Sequence, residues 1–374
     1  MKILYIVNIS SFFESHFLRL ALESKSMGYD VHLVVGDNDK KEYFKSLGIH
    51  YHKVSLSRDS TNFFSEINSI LEIRKKIINI DPDIIHCFTI KPIIYTGISN
   101  FLRISKRSLK VYSVTGLGSM SLSNTKKGKI LWNIILFLYK LTFSQKNTIG
   151  VFENEDDKKL FTRKNIINVD NAVLVNGAGI DTNKYFPTYK NNTPLKIVLV
   201  ARMLKDKGVR EFIQSSQLLH ENKVNVRMIL VGGIDESNIS SLSLKEINKA
   251  VTDGYVEYLG HQSDILSIYQ SSDVACLPSY REGLPKSLIE AASCGLPIIT
   301  TNVPGCRQMI DDGLNGILVK AKDSISLAKA IEDLVNDENK LKSMGEYSRK
   351  MAVEKFDYKH VLSSFMKIYK REVK

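Results

Sequence analysis

Short apolar runs recur along the chain, and most are followed by stretches in which polar and apolar positions alternate with helical spacing. In the first half the runs 3–7, 31–35, 84–87, 111–114 and 149–152 read as strands by composition, and in the second half 195–201 and 273–277 read as buried strands. Strands alternating with amphipathic stretches predict a parallel α/β architecture. The first helix is expected over 16–27, stopped by Gly28. Further helices are expected over 209–219 and 285–294. Pro285 suits the opening of the latter, because the donor it lacks has no use there, and Gly295 suits the left-handed residue after its end.

At 374 residues the chain exceeds the roughly 250–300 at which one core stops growing, so two domains are expected. A 43% apolar content is ordinary for a soluble globular protein. No repeat or low-complexity tract interrupts it. The polar stretch 183–194, which combines Pro, Asn and Thr, is the best linker, dividing the chain into 1–185 and 186–355.

The most specific chemistry lies between strand 273–277 and the helix opened at Pro285. Glu282 falls in the turn, and Glu290 lies about a turn and a half inside the helix at ~1.5 Å rise per residue. Backbone N–H groups around Gly283 and Leu284 face a positive helix end, which suits a diphosphate. A carboxylate beside that anion needs another partner. Glu290, an acceptor through both oxygens, matches the vicinal hydroxyls of a ribose. The bland alternative is an acid on a solvated helix face.

Upstream, strand 195–201 runs into Arg202 and Lys207 in the turn that opens the next helix. In open parallel sheets ligands bind at that carboxyl edge. Two cations there can clamp a diphosphate and stabilise it as a leaving group. A solvated basic turn is the alternative, but strand, Arg-x4-Lys, helix, later strand, Glu-x7-Glu, helix is more specific than either part.

This constellation resembles the C-terminal half of the GT-B retaining glycosyltransferases of family 4, and the resemblance extends over essentially the whole chain. It implies two Rossmann-like domains facing each other across a cleft, with the last helix (about 356–374) belonging to the N-terminal domain. It implies that Arg202 and Lys207 bind the donor diphosphate, Glu290 the ribose and Glu282 the donor sugar. Residues 256–261, ending in Gly260 and His261, resemble the strand and turn that border the nucleobase. His86 resembles a histidine kept next to the donor sugar and is expected to be catalytic with Arg202, Lys207 and Glu282. Without the resemblance, His86 reads as a satisfied structural histidine.

Acceptor binding is expected from three N-terminal segments. These are Ser10, Ser11 and His16 after the first strand, Thr89 and Lys91 before Pro92, and the glycine turn of Thr115, Gly116 and Gly118. Where the family often has glycines after strand one, this chain has Ser10 and Ser11. The Ser15-His16 pair is followed by Phe17, where related transferases often have Arg. The set looks most like transferases that build bacterial surface polysaccharides on polyprenyl diphosphate.

Charge adds a possible partner. Between Asp83 and Glu153 there is no acidic residue but ten cations: Lys91, Arg103, Lys106, Arg107, Lys110, Lys126, Lys127, Lys129, Lys140 and Lys146. They account for most of the formal net charge of +12. The apolar run 130–143 within this tract is too short to span a bilayer, which needs ~20 residues. It is either a core helix or a surface that docks on anionic lipid. Nucleic acid is not expected, since no recognition motif or basic helix with interleaved aromatics occurs. Cys87, Cys276, Cys294 and Cys306 lack paired short spacing and read as small buried hydrophobes in a reducing compartment. Residues 1–7 do not read as a signal peptide, so a cytoplasmic protein, peripheral at the inner membrane face, is expected. Asp37 and Asp39 form an Asp-x-Asp sequence that reads as an ordinary hydrophilic turn. The spacing of His and Cys offers no zinc site, and metal-independent chemistry is expected.

The expected reaction moves a hexose or N-acetylhexosamine, GalNAc or GlcNAc, from a UDP-sugar to a polyprenyl-diphosphate-linked saccharide in O-antigen or capsule biosynthesis. The rivals are a sugar-nucleotide epimerase or phosphorylase on the same scaffold, and a non-catalytic nucleotide-sugar binding partner.

Overall fold

The computed structural model describes residues 1–56, 63–101, 107–123, 125–188, 192–236 and 238–371. The chain divides into two compact units, one comprising Met1–Ala178 with the chain from Lys359 onward, the other Gly179–Tyr358. Residues 179–182, ahead of the expected linker, already belong to the second unit. Ile180 is buried in its core, and its N–H donates to the Phe356 carbonyl at 3.0 Å. Tyr189, Lys190 and Asn191 of the linker stretch lie outside the described residues, as do Arg103 and Lys106 of the basic tract.

The first unit runs β1 (Lys2–Ile6), α1 (Ser10–Ser26), β2 (Asp30–Val35), α2 (Lys41–Ser46), β3 (His50–Lys53), α3 (Phe63–Ile80) and β4 (Ile84–Phe88). It continues through α4 (Ile90–Phe101), β5 (Leu109–Val114), α5 (Lys126–Phe143), β6 (Thr148–Phe152), α6 (Glu155–Arg163) and β7 (Ala172–Leu174). The second unit runs β8 (Leu195–Val200), α7 (Val209–Glu221), β9 (Val226–Val231), α8 (Leu244–Thr252), β10 (Glu257–Tyr258) and α9 (Ile265–Gln270). It closes with β11 (Val274–Leu277), α10 (Lys286–Ser293), β12 (Ile298–Thr301), β13 (Gly316–Val319), α11 (Ser324–Val335) and α12 (Glu338–Met351). The last helix, α13 (Tyr358–Tyr369), packs with the first unit.

Each unit is built on one parallel sheet, of order β3-β2-β1-β4-β5-β6-β7 in the first and β10-β9-β8-β11-β12-β13 in the second. Strands such as β4, β5, β6 and β11 are buried along their whole length, as covering both faces of a parallel sheet requires. The order reverses between β1 and β4 and between β8 and β11, and open sheets offer ligand sites at the carboxyl ends flanking such a reversal. Arg202 and Lys207 follow β8 and Glu282 follows β11, so the second reversal carries the residues expected to bind the donor. Ser10 and Thr89 follow β1 and β4.

Three local expectations shift. Helix α1 starts at Ser10 rather than residue 16, so Ser10 and Ser11 form its first turn. Helix α10 starts at Lys286, with Pro285 as its cap residue in an extended conformation. Strand β4 extends through Phe88, one residue past the expected run 84–87, and His86 sits in mid-strand. The apolar run after Lys129 proves to be two-faced. Leu136, Tyr139 and Phe143 of α5 pack in the core, while Ile130, Ile134, Phe137 and Leu141 are exposed. Among the described residues, no helix is long and apolar enough to cross a membrane.

Candidate active site

In the second unit the two motifs that the sequence separates by some eighty positions meet through an ion pair. Lys207 Nζ donates to both carboxylate oxygens of Glu282, at 2.5 and 2.7 Å. Ser279 Oγ donates to the same carboxylate at 2.6 Å, and the Glu282 N–H bonds the Pro304 carbonyl at 3.0 Å. With side-chain exposures of 24% and 12%, the pair sits where charge interactions are stronger than at the open surface. Two close approaches hold it. A Cβ on Gly208, whose φ is +72°, would lie 2.1 Å from the Pro278 carbonyl oxygen, and one on Gly305, φ +82°, would lie 2.4 Å from that of Glu282. Only glycine fits positions that combine left-handed backbone with such contact. Beneath, burial pushes the Cys306 thiol up to about 12, with the Glu282 charge adding in the same direction.

Arg202 leaves β8 and donates from Nη1 to Asp235 Oδ2 at 2.5 Å. Asp235 was not foreseen. It follows β9 and the Gly232-Gly233 pair, so the apolar run 228–231 with two glycines behind it is the signal that marks it. Glu290 is buried on α10, with Oε1 3.2 Å from Lys286 Nζ. Its neighbour Tyr185, also absent from the sequence reading, has its hydroxyl pKa raised by burial first and by the Glu290 charge next. Gly283, Leu284 and Pro285 lead into the N-terminus of α10. Gly260, φ +64°, accepts from the Gly232 N–H at 2.7 Å, and His261 beside it is exposed.

In the first unit the outcome is mixed. His86 cannot touch a substrate. It is fully buried, with Nδ1 2.6 Å from the Tyr369 hydroxyl and Nε2 2.7 Å from Ser113 Oγ. Tyr369 in turn contacts the Tyr5 hydroxyl at 3.3 Å, and Tyr5 bonds Ser24 Oγ at 2.8 Å. His86 therefore ties α13 to the core through a buried polar chain, and burial holds its pKa well below the usual value. The expected catalytic role is corrected to an anchoring one. Ser10 is likewise committed, with its Oγ 2.5 Å and its N–H 2.8 Å from the carboxylate of Asp37, and it is fully buried. Tyr51 donates to the Asp37 carbonyl at 2.7 Å and approaches its Oδ1 at 3.3 Å. The Asp-x-Asp sequence thus works as a turn clamp.

Ser11 is exposed in the first turn of α1, and the His16 ring stacks on Phe12 at 4.4 Å with Nδ1 2.7 Å from Ser15 Oγ. Thr89 has φ +69°, an outlier for a β-branched residue, and its hydroxyl donates to Asn8 Oδ1 at 2.9 Å. Strained backbone of this kind costs about 1–3 kcal/mol and clusters at binding sites. Lys91 pairs with Glu66 at 2.9 Å, which removes it from the set of unopposed cations. Lys110 is buried, bonded to the carbonyls of Ser108 and Lys146, and its pKa is depressed by burial to about 8. Thr115 is half-buried before the left-handed Gly116 and Gly118.

Each unit is an open parallel sheet with polar residues gathered in the loops after its strands, and comparison with known proteins identifies the class of scaffold. Residues 2–152 match the family model described as glycosyl transferase 4-like, and residues 181–351 match that of glycosyl transferases group 1. The chain is 29% identical to the N,N'-diacetylbacillosaminyl-diphospho-undecaprenol alpha-1,3-N-acetylgalactosaminyltransferase of Campylobacter jejuni, over 92% of both proteins. It is 28% identical to the capsular polysaccharide biosynthesis glycosyltransferase CapM of Staphylococcus aureus, over 93% of this chain and 91% of that one. HepE of Anabaena, solved in complex with UDP-glucose, superposes with a TM-score of 0.77 at 17% identity, covering 98% of each chain. The protein belongs to the GT-B glycosyltransferases of the family-4 type.

Proposed function

We propose that the protein transfers a hexose or N-acetylhexosamine, GalNAc or GlcNAc, from a UDP-sugar to a polyprenyl-diphosphate-linked saccharide during assembly of a bacterial O-antigen or capsule, with retention at the anomeric carbon. The observation that carries this reading is the Lys207–Glu282 pair at the β8/β11 reversal, with Arg202 in the same turn after β8 and α10 opening soon after Glu282. The ammonium of Lys207 has three donors. Two point at Glu282, and one remains for a phosphate oxygen. Arg202, held by Asp235 through one N–H, keeps further donors for the diphosphate. Glu290 holds the ribose, Glu282 orients the transferred sugar, and Gly260 with His261 borders the base. The Campylobacter relative acts on a diphospho-undecaprenol-linked substrate and HepE binds UDP-glucose, which supports the two substrate classes.

No nucleophilic side chain is needed. The departing diphosphate takes the proton of the acceptor hydroxyl on the face it leaves from, while Arg202, Lys207 and the α10 amides stabilise the developing charge. Because protein cations neutralise the leaving group, transfer requires no divalent ion. Ser11, His16, Thr89, Thr115, Gly116 and Gly118 form the acceptor side. The stripe Ile130, Ile134, Phe137 and Leu141 on α5, with Lys126, Lys127, Lys129 and Lys140 exposed around it, docks on anionic lipid and brings the enzyme to its acceptor. The test is transfer of radiolabelled sugar from UDP-GalNAc and UDP-GlcNAc to a polyprenyl-diphosphate saccharide in EDTA. Product with either donor supports the proposal. Loss of activity on chelation refutes the metal-independent chemistry, and turnover of donor without transfer to any lipid-linked acceptor refutes the acceptor assignment.

A further inference from the structure

A second cluster of chemistry lies at the opposite, amino end of the first sheet, away from the loops that follow β1 and β4. Strand β3 is an edge strand paired in parallel with β2, and the register sets His50 beside His32 and His52 beside Val34. Side chains two apart on a strand share a face, so Asp30, His32, His50 and His52 all project from one side of this edge.

Their donor atoms converge. His32 Nε2 lies 3.2 Å and His50 Nε2 3.0 Å from separate oxygens of Asp30, and one atom from each of the three residues falls within 4.8 Å of the others. Tetrahedral ligands at about 2.0 Å from a zinc ion stand about 3.3 Å apart, so the two His–Asp separations, which are also those of ordinary hydrogen bonds, fit a shared coordination sphere. On its far side, His32 Nδ1 is 3.0 Å from His52 Nε2. A metal-binding imidazole characteristically donates its other N–H to a fixed acceptor. Exposure grades from 12% at the His32 side chain to 60% at His50, which leaves an approach from solvent.

We propose that Asp30, His32 and His50 form a binding site for a divalent cation of the zinc class, with His52 as the orienting partner of His32. Two imidazoles and one carboxylate with an open fourth position suit zinc better than calcium or magnesium, which take oxygen donors. The ion would join the edge strand to β2. An exposed sheet edge otherwise offers unpaired backbone groups to other chains. The spacing of His and Cys read along the chain gives no such site, because the ligands come together only through pairing of strands begun twenty residues apart.

The test is calorimetric titration of the metal-stripped full-length protein with zinc chloride near pH 7.5, backed by the visible spectrum of the cobalt(II) form as a report of tetrahedral geometry. The expected result is one equivalent bound with micromolar or tighter affinity, weakened tenfold or more in His50→Ala and in Asp30→Asn, and by about 10–100-fold in His52→Ala. Metal-free His50→Ala should melt with the wild type and retain its transferase activity, since His50 is exposed and outside the sugar-nucleotide site. Absence of binding at about 100 μM zinc, or equal affinity in His50→Ala and Asp30→Asn, would overturn the proposal. An unaltered affinity in His52→Ala would remove His52 from it.

Discussion

Replacing Lys207 by Met separates the two functions of its pair with Glu282. At contacts of 2.5 and 2.7 Å, with both groups largely shielded, the gross attraction is about 6 kcal/mol at an effective dielectric of about 20. Desolvation offsets most of it, and the variant leaves Glu282 with Ser279 as a remaining partner, so a net destabilisation of about 1–3 kcal/mol is expected. In a unit of this size each kcal/mol corresponds to roughly 2–4 °C in Tm. The companion substitution Glu282→Gln removes the stranded charge, and the double variant should recover most of that stability. Activity should behave otherwise. Loss of a preorganised cation at a leaving group costs about 10²–10³ in kcat, and Glu282→Gln cannot restore it. The assay is a double-mutant cycle read in parallel by calorimetric melting and by sugar transfer. If the double variant regains activity together with stability, the pair is scaffold and Lys207 does not meet the diphosphate.

Other outcomes follow from the same geometry. Gly208→Ala sets a Cβ against the Pro278 carbonyl in left-handed backbone and should lower stability by at least about 2 kcal/mol, whereas unchanged melting would show that the turn can move. His86 is neutral when folded and has a pKa of about 6.5 when unfolded. Below that pH the unfolded state takes up the extra proton, so stability present above pH ~6.5 falls as pH drops, by up to about 1.4 kcal/mol per unit from this group. In metal-free protein, His86→Gln should flatten the slope of stability between about pH 6.5 and 5, and equal slopes would contradict the buried neutral assignment. Ile134→Ser with Phe137→Ser should reduce sedimentation with anionic vesicles at least tenfold without changing Tm, and undiminished binding would dismiss α5 as the docking surface.

Much of this architecture was legible because parallel strands buried on both faces carry short runs dominated by apolar residues. Strands β1, β2, β4, β5, β6, β8 and β11 announce themselves in that way. Strand β3 does not, since His-Tyr-His-Lys at a sheet edge lacks an apolar run, and β7 is three residues long. The candidate donor-binding residues were readable because Arg202, Lys207, Glu282 and Glu290 have fixed spacing from strand ends and helix starts. Their partners Asp235 and Ser279 and the close-approach Gly305 depend on how separate loops meet. His86 shows the limit most clearly. Its hydrogen-bond partner Tyr369 lies 283 positions away, and nothing local tells a histidine in a strand whether it faces a ligand or the last helix of the chain. The amphipathic character of α5 was similarly masked, because a helix with one buried and one exposed apolar face reads as apolar on most sides.

The central claim is that the carboxyl edge of the second sheet binds a UDP-sugar, and a thermal-shift titration without added metal tests it directly. With ligand at about 100 times its Kd, native-state binding stabilises the protein by about 2.7 kcal/mol. A Tm rise with UDP-GalNAc or UDP-GlcNAc that disappears in Glu290→Ala is the predicted result. No shift with any uridine nucleotide at millimolar concentration in folded protein, or an equal shift in Glu290→Ala, would contradict it.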